Sequence, residues 1–123
     1  MKVLQVIDQA YRTTTEEQDD TILWLTQSMR GAGGDLMVLL SGHGVHYAIS
    51  RERQPALTLG TWRQTQPAEL PRDIANLVES GVPVYAIQEE RGLGGLALQN
   101  GVRPVARRAV AELYEQADQV WHW

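Results

Sequence analysis

Three short apolar runs, Val3–Ile7, Leu36–Leu40 and Val82–Ile87, constrain this chain more than any other feature. A run of strand length with almost no polar interruption is the pattern of a strand buried on both faces, as in a parallel sheet covered by helices. Helical patterns lie between them. Thr14 and Glu17 have the spacing of a capping box, and Ile22, Leu25 and Met29 recur at helical intervals before Arg30-Gly31. Leu70, Ile74, Leu77 and Val78 mark a second helix, with Gly81 placed to end it. Val102 to Val105 reads as a fourth short strand, Val110, Leu113, Tyr114 and Ala117 as a last helix, and 119–123 as a terminal strand. Strands alternating with helices predict one doubly wound α/β domain over 1–123, with a mainly parallel sheet of about five strands. Residues 50–66 have no clean period and read as a long loop holding a helical turn at most. Trp24, beside Ile22 and Leu25, is expected in the core, while Trp62, Trp121 and Trp123 are candidate interface anchors.

Composition removes several functions. The chain has no cysteine, which excludes disulfides, thiolate metal sites and a cysteine nucleophile. A net charge of −4 disfavours binding to nucleic acid, which needs Lys and Arg against phosphate. No apolar run nears the ~20 residues that span a bilayer. The start, Met1 to Asp8, has one basic residue and a broken apolar stretch, unlike a secretory signal. A cytoplasmic protein is expected. Ten of the eleven basic residues are arginine, which suits either solvated ion pairs or interfaces.

In parallel α/β sheets ligands meet the carboxyl ends of the strands. Three loops qualify, carrying Tyr11 and Arg12, then His43, His46 and Tyr47, then Glu89, Glu90 and Arg91. His43-x-x-His46 is the single close histidine pair. Zinc there would need a third ligand such as Glu89 or Glu90, and no second ligand spacing supports it. The pair also suits an acid/base or hydrogen-bonding role, or burial against backbone. The run Glu16-Glu17-Gln18-Asp19-Asp20 has carboxylates spaced for acid/base chemistry or a hard cation, yet a helix amino terminus already explains them. Gly31-Ala32-Gly33-Gly34 leaves a helix and enters a strand, the reverse of a nucleotide fingerprint. Gly92-Leu93-Gly94-Gly95 lacks both the fingerprint spacing and a P-loop lysine. Ser41-Gly42-His43 has no triad order, and no G-x-S-x-G elbow occurs.

Val38-Leu39-Leu40-Ser41-Gly42-His43-Gly44-Val45-His46-Tyr47-Ala48-Ile49 resembles the strand and G-x-x-V-x-x-A segment of the DsrE/DsrF/DsrH superfamily of sulfur-relay proteins. Gly81 to Leu93 is similar to its "GV-VYA…RGL" signature, and Gly101-Val102 through Trp121 to its carboxyl-terminal third. The resemblance runs in order over nearly the whole chain. It implies a flavodoxin-like or Rossmann-like three-layer sandwich, and trimers or hexamers that can mix related subunits. Carrier members hold a persulfide on a cysteine just after the third strand. The matching stretch here, Val84 to Arg91, contains none, and no other side chain replaces a polarisable thiolate. DsrH-type subunits, with "VYAL-E" before the same turn, are the closer comparison, although the turn here is shorter and 50–66 matches nothing.

The resulting expectation is a non-catalytic, oligomeric DsrE-like subunit that meets cysteine-bearing siblings or sulfur carriers. His43, His46, Tyr47, Glu89, Arg91, Tyr11 and Arg12 would line its cleft or interface. No cofactor, metal, nucleic acid or membrane is expected. The alternative is a small-ligand binder or acid/base enzyme that uses His43 or His46, with arginines orienting an anion.

Overall fold

The computed structural model describes residues 1–9, 21–49, 58–63, 70–90 and 97–123. The capping box, the acidic run and the glycine-rich 91–96 connector lie outside the described residues. In chain order the elements are β1 (Lys2–Ile7), α1 (Thr21–Gly31), β2 (Asp35–Leu40), a 3-10 segment (Gly42–Ala48), β3 (Thr58–Leu59) and β4 (Trp62–Arg63). They continue with α2 (Leu70–Glu79), β5 (Val84–Ile87), a 3-10 turn (Gln88–Glu90), β6 (Val102–Val105), a 3-10 turn (Arg107–Ala109), α3 (Val110–Gln116) and β7 (Gln119–His122).

Five strands form one sheet in the order β6-β5-β2-β1-β7, and every pairing in it is parallel. All carboxyl ends therefore emerge along one rim. The chain steps outward from β1 to β6, then returns to lay β7 on the other side of β1. The order of steps reverses there, so the topological switch point falls between β1 and β7.

Strand alternation divides the apolar residues between two faces. On one, Val3, Ile7, Leu36, Val38, Leu40, Val84 and Ala86 pack with Ile22 and Leu23 of α1, Ile74 and Leu77 of α2, and Val45, Tyr47 and Ala48 of the first 3-10 segment. On the other, Leu4, Val6, Met37, Leu39 and Ile87 pack with Leu113 of α3. The result is a three-layer α/β sandwich of the flavodoxin-like kind.

Both long helices end the same way. Gly33 N–H donates to the Arg30 carbonyl and Gly34 N–H to Met29, while Gly81 N–H donates to Val78 and Val82 N–H to Leu77. With Gly33 at φ 92° and Gly81 at φ 88°, these are paired Schellman closures, which place a residue in the left-handed region that glycine favours. Arg30 then ties the two helix ends, donating to the Ser80 carbonyl at 3.1 Å and to that of Gly34 at 3.3 Å.

The structure revises two expectations. Trp24 is not in the core but 59% exposed, because α1 buries Ile22, Leu23 and Thr26 instead of the Ile22, Leu25, Met29 line. Thr26 tolerates burial because its hydroxyl donates to the Ile22 carbonyl at 2.8 Å. Within the segment read as a loop, Thr58–Leu59 and Trp62–Arg63 form an antiparallel hairpin separate from the main sheet.

A partly buried polar contact joins the residue after the terminal strand to the first strand. Gln5 is fully buried on β1, and the Trp123 indole N–H donates to its side-chain oxygen at 2.6 Å. Trp123→Phe keeps an aromatic ring, though a smaller one, and leaves that acceptor without its donor. The expected cost is about 1–3 kcal/mol by chemical denaturation, and a change below about 0.5 kcal/mol would show that the bond is dispensable.

Candidate functional site

The parallel register brings the residues that follow each strand to one rim. Asp8 follows β1, Ser41 follows β2, Glu89 and Glu90 lie in the turn after β5, Arg107 follows β6 and Trp123 follows β7. The Ser41 hydroxyl donates to the Asp8 carboxylate, joining neighbouring strand ends. Gly42 N–H donates to the Glu90 carboxylate, which reaches across from the β5 turn. The other Glu90 oxygen pairs with the Arg107 guanidinium at 2.9 Å, and Glu89 accepts the Arg107 backbone N–H at 2.9 Å. On the opposite side Asp8 N–H donates to the Trp123 carbonyl at 3.0 Å.

The 3-10 segment rests on this rim. Ser41 N–H donates to the Ile7 carbonyl at 3.0 Å and Gly44 N–H to that of Asp8 at 3.1 Å. Gly42 sits at φ 52°, where a side chain would be strained, and the Ile7 carbonyl lies against the Gly44 Cα. In a 3-10 helix residues three apart eclipse one another, so His43 and His46 come out on one side. Their rings stack with centroids 6.3 Å apart and 18° between planes.

The sequence candidates divide accordingly. His43 is exposed, His46 half-buried and Glu89 exposed, all near the rim. Tyr47 is 1% exposed and packs among the core residues of the α1 and α2 face, so it supports the segment from beneath instead of lining a cleft. Tyr11, Arg12 and Arg91 lie outside the described residues. Asp8, Ser41 and Arg107 were not singled out as site residues. The signal for them was present, since the first polar residue after a buried parallel strand lands on the functional rim. Among the described residues no group of three His, Cys, Asp or Glu side chains is placed to hold a metal ion. Glu89 and Glu90, the third ligands a zinc site would have used, hold Arg107 and Gly42 N–H.

Among the described residues, surface depressions also lie elsewhere. One of about 60 Å³ is lined by Leu23, Trp24, Gln27, Asp73 and Asn76, too small for an ordinary metabolite. A wider open groove of about 710 Å³ runs between α2 and residues Ala97–Asn100. Neither includes the rim histidines or glutamates.

Sheet order and layers together define a parallel α/β protein of the flavodoxin-like kind. The crystal structure of YchN from E. coli, a DsrE-like protein, matches with a TM-score of 0.71 over 99% of this chain and 98% of that one. The two are 20% identical, a level at which the likeness establishes shared fold. No protein-family profile and no curated protein matches the chain. No helix among the described residues is long and apolar enough to cross a membrane.

Proposed function

We propose that this protein is an accessory DsrE-like subunit of a sulfur-relay or sulfur-oxidation system, of the DsrH type, which works by assembly and partner binding and carries no sulfur itself. One observation carries the reading. The fold matches that of YchN along the chain, and after its third parallel strand in sequence (β5) it presents Gln88-Glu89-Glu90, at the place where the resemblance implies a cysteine in carrier members.

The chemistry of that turn supports an architectural role. A carrier thiol must be reachable by a second sulfur and must ionise, since the thiolate is the attacking species. Here the turn's two carboxylates hold the neighbouring loops, Glu90 on Gly42 N–H and Arg107, Glu89 on the Arg107 N–H. Such a turn stiffens the rim and offers nothing that accepts a sulfane sulfur. His43, exposed above it, is the side chain best placed to touch a docked partner, with half-buried His46 behind.

The cysteine-bearing partners are DsrE-like siblings or sulfur carriers of the same cytoplasmic pathway, in trimers or hexamers. The chain, affinity-tagged and isolated gently from its own cells, is expected to bring down at least one such cysteine-bearing protein in stoichiometric amount. His43→Ala is expected to weaken that capture. Isolation of the tagged chain with no cysteine-bearing protein would overturn the reading.

A further inference from the structure

We propose that the outer edge of β7 is a docking site for an extended, arginine- or lysine-bearing segment of another protein, which adds a strand to the main sheet. The sheet ends on β6 at one side and on β7 at the other, and the two edges differ. β6 carries Arg103 and Pro104, a charge and a residue with no N–H, both devices that keep an edge from pairing. β7, Gln119-Val120-Trp121-His122, carries no proline, lysine or arginine. Trp123 N–H donates to the Val6 carbonyl and Asp8 N–H to that of Trp123, so every second residue back from Trp123 faces β1. Val120 and His122 therefore turn their N–H and C=O groups outward. Among the described residues no hydrogen bond reaches those groups.

Side chains flank this edge on both faces of the sheet. Half-buried Trp121 packs against the core on the α1 and α2 side, and half-buried Val120 against the core on the α3 side. The exposed His122 ring meets the exposed Tyr114 of α3 edge-on, with centroids 6.3 Å apart and 74° between planes. An added strand would lay alternate side chains beside Trp121 on one face and beside Tyr114 and His122 on the other. In such strand addition main-chain hydrogen bonds give affinity and the alternate side chains give specificity.

Charge and aromatic character identify the segment. Residues 110–123 hold Glu112, Glu115 and Asp118, all exposed, and neither lysine nor arginine. A second copy pairing edge to edge would set these acids against their own counterparts, which opposes self-pairing, whereas a cationic strand is attracted. Arginine and lysine also gain from lying over tyrosine and tryptophan rings. The inference rests on the open edge and on the charge of residues 110–123, and does not depend on any sulfur-relay role.

Titration of the purified full-length chain with a short synthetic peptide alternating arginine and valine tests it, with amide hydrogen exchange as the readout. The peptide is expected to bind and to slow exchange at the Val120 and His122 amides. Its counterpart with glutamate in place of arginine is expected to bind at least about tenfold more weakly. His122→Pro removes one outward N–H and leaves the Trp123 bond to β1 in place, and is expected to weaken binding by at least about tenfold. His122→Val, which keeps the N–H, is expected to weaken it by less than about threefold. Glu112→Lys/Glu115→Lys is expected to weaken it with an unchanged circular dichroism spectrum, and with the wild-type exchange pattern it decides the matter even where His122→Pro fails to fold. No binding of the arginine peptide, equal binding of the glutamate peptide, or protection confined to other amides would overturn the proposal. Protection of the same amides by raised protein concentration alone would also overturn it, by assigning the edge to a second copy. A cysteine-bearing partner recovered from cells alongside an edge that ignores the arginine peptide would leave the accessory-subunit reading standing and remove this one.

Discussion

Gly44→Ala is expected to destabilise the protein by about 3 kcal/mol or more, enough to leave much of it unfolded at physiological temperature. A methyl group at this position would overlap the carbonyl oxygen of Ile7, and the obstacle is backbone at the end of a central strand. The segment cannot retreat cheaply. Gly44 N–H is bonded to both the Asp8 and Ser41 carbonyls, and Val45, Tyr47 and Ala48 are buried immediately beyond. Relief would pull three buried side chains out of the core and separate the histidine pair from the rim. Gly31→Ala is the control, since nothing lies within 4 Å of its added carbon and its φ is ordinary. That change is expected to be neutral or slightly stabilising. Denaturant midpoints for the two variants check the contrast, and similar values would show that the close approach is not what holds the segment.

Tyr47→Ala is expected to cost about 3–5 kcal/mol, the range for removing a large side chain from a packed core. The ring is 1% exposed and lies in the cluster built by α1, α2 and the sheet. Its backbone carbonyl also accepts from the Gln99 side chain at 3.2 Å, linking the segment to the approach to β6. The exposed neighbour His43 should behave oppositely. His43→Ala is expected to change stability by less than about 0.5 kcal/mol while weakening partner capture. If Tyr47→Ala retained full stability, the packing beneath the rim would be looser than the structure describes.

These contrasts show what the sequence made legible. The strands were readable because a parallel sheet covered on both sides demands unbroken apolar runs, and Leu36 to Leu40 are all buried. The Schellman end at Gly81 was readable because a left-handed residue after a helix is a local requirement. Less legible were features set by tertiary register. Helix periodicity named Ile22, Leu25 and Met29, but docking on the sheet turned α1 until Thr26 faced inward and Trp24 outward. Tyr47 belongs to a loop whose aromatic looked available for binding, and only the packing of a 3-10 segment over the strand ends reveals it as core. The hairpin escaped detection because two-residue strands carry no measurable alternation. Only the glycine of the turn marked it.

The rim shows the same division. His43, His46 and Glu89 stood out by residue type and by following strands. Asp8, Ser41 and Arg107 gain meaning only when the β6-β5-β2-β1-β7 order sets their strand ends side by side. Glu90 illustrates the point best. Its carboxylate bridges Gly42 N–H and Arg107 across two strand connections.

The central claim is that this chain supports a sulfur-handling assembly without holding sulfur. Native mass spectrometry of the complex isolated intact from its own cells, followed by release of the subunits, tests it most directly. The account predicts a hetero-oligomer in which added sulfur appears on a cysteine-bearing sibling and never on this chain. A homo-oligomer with no sibling, or a labile sulfur retained on this cysteine-free chain, would contradict it.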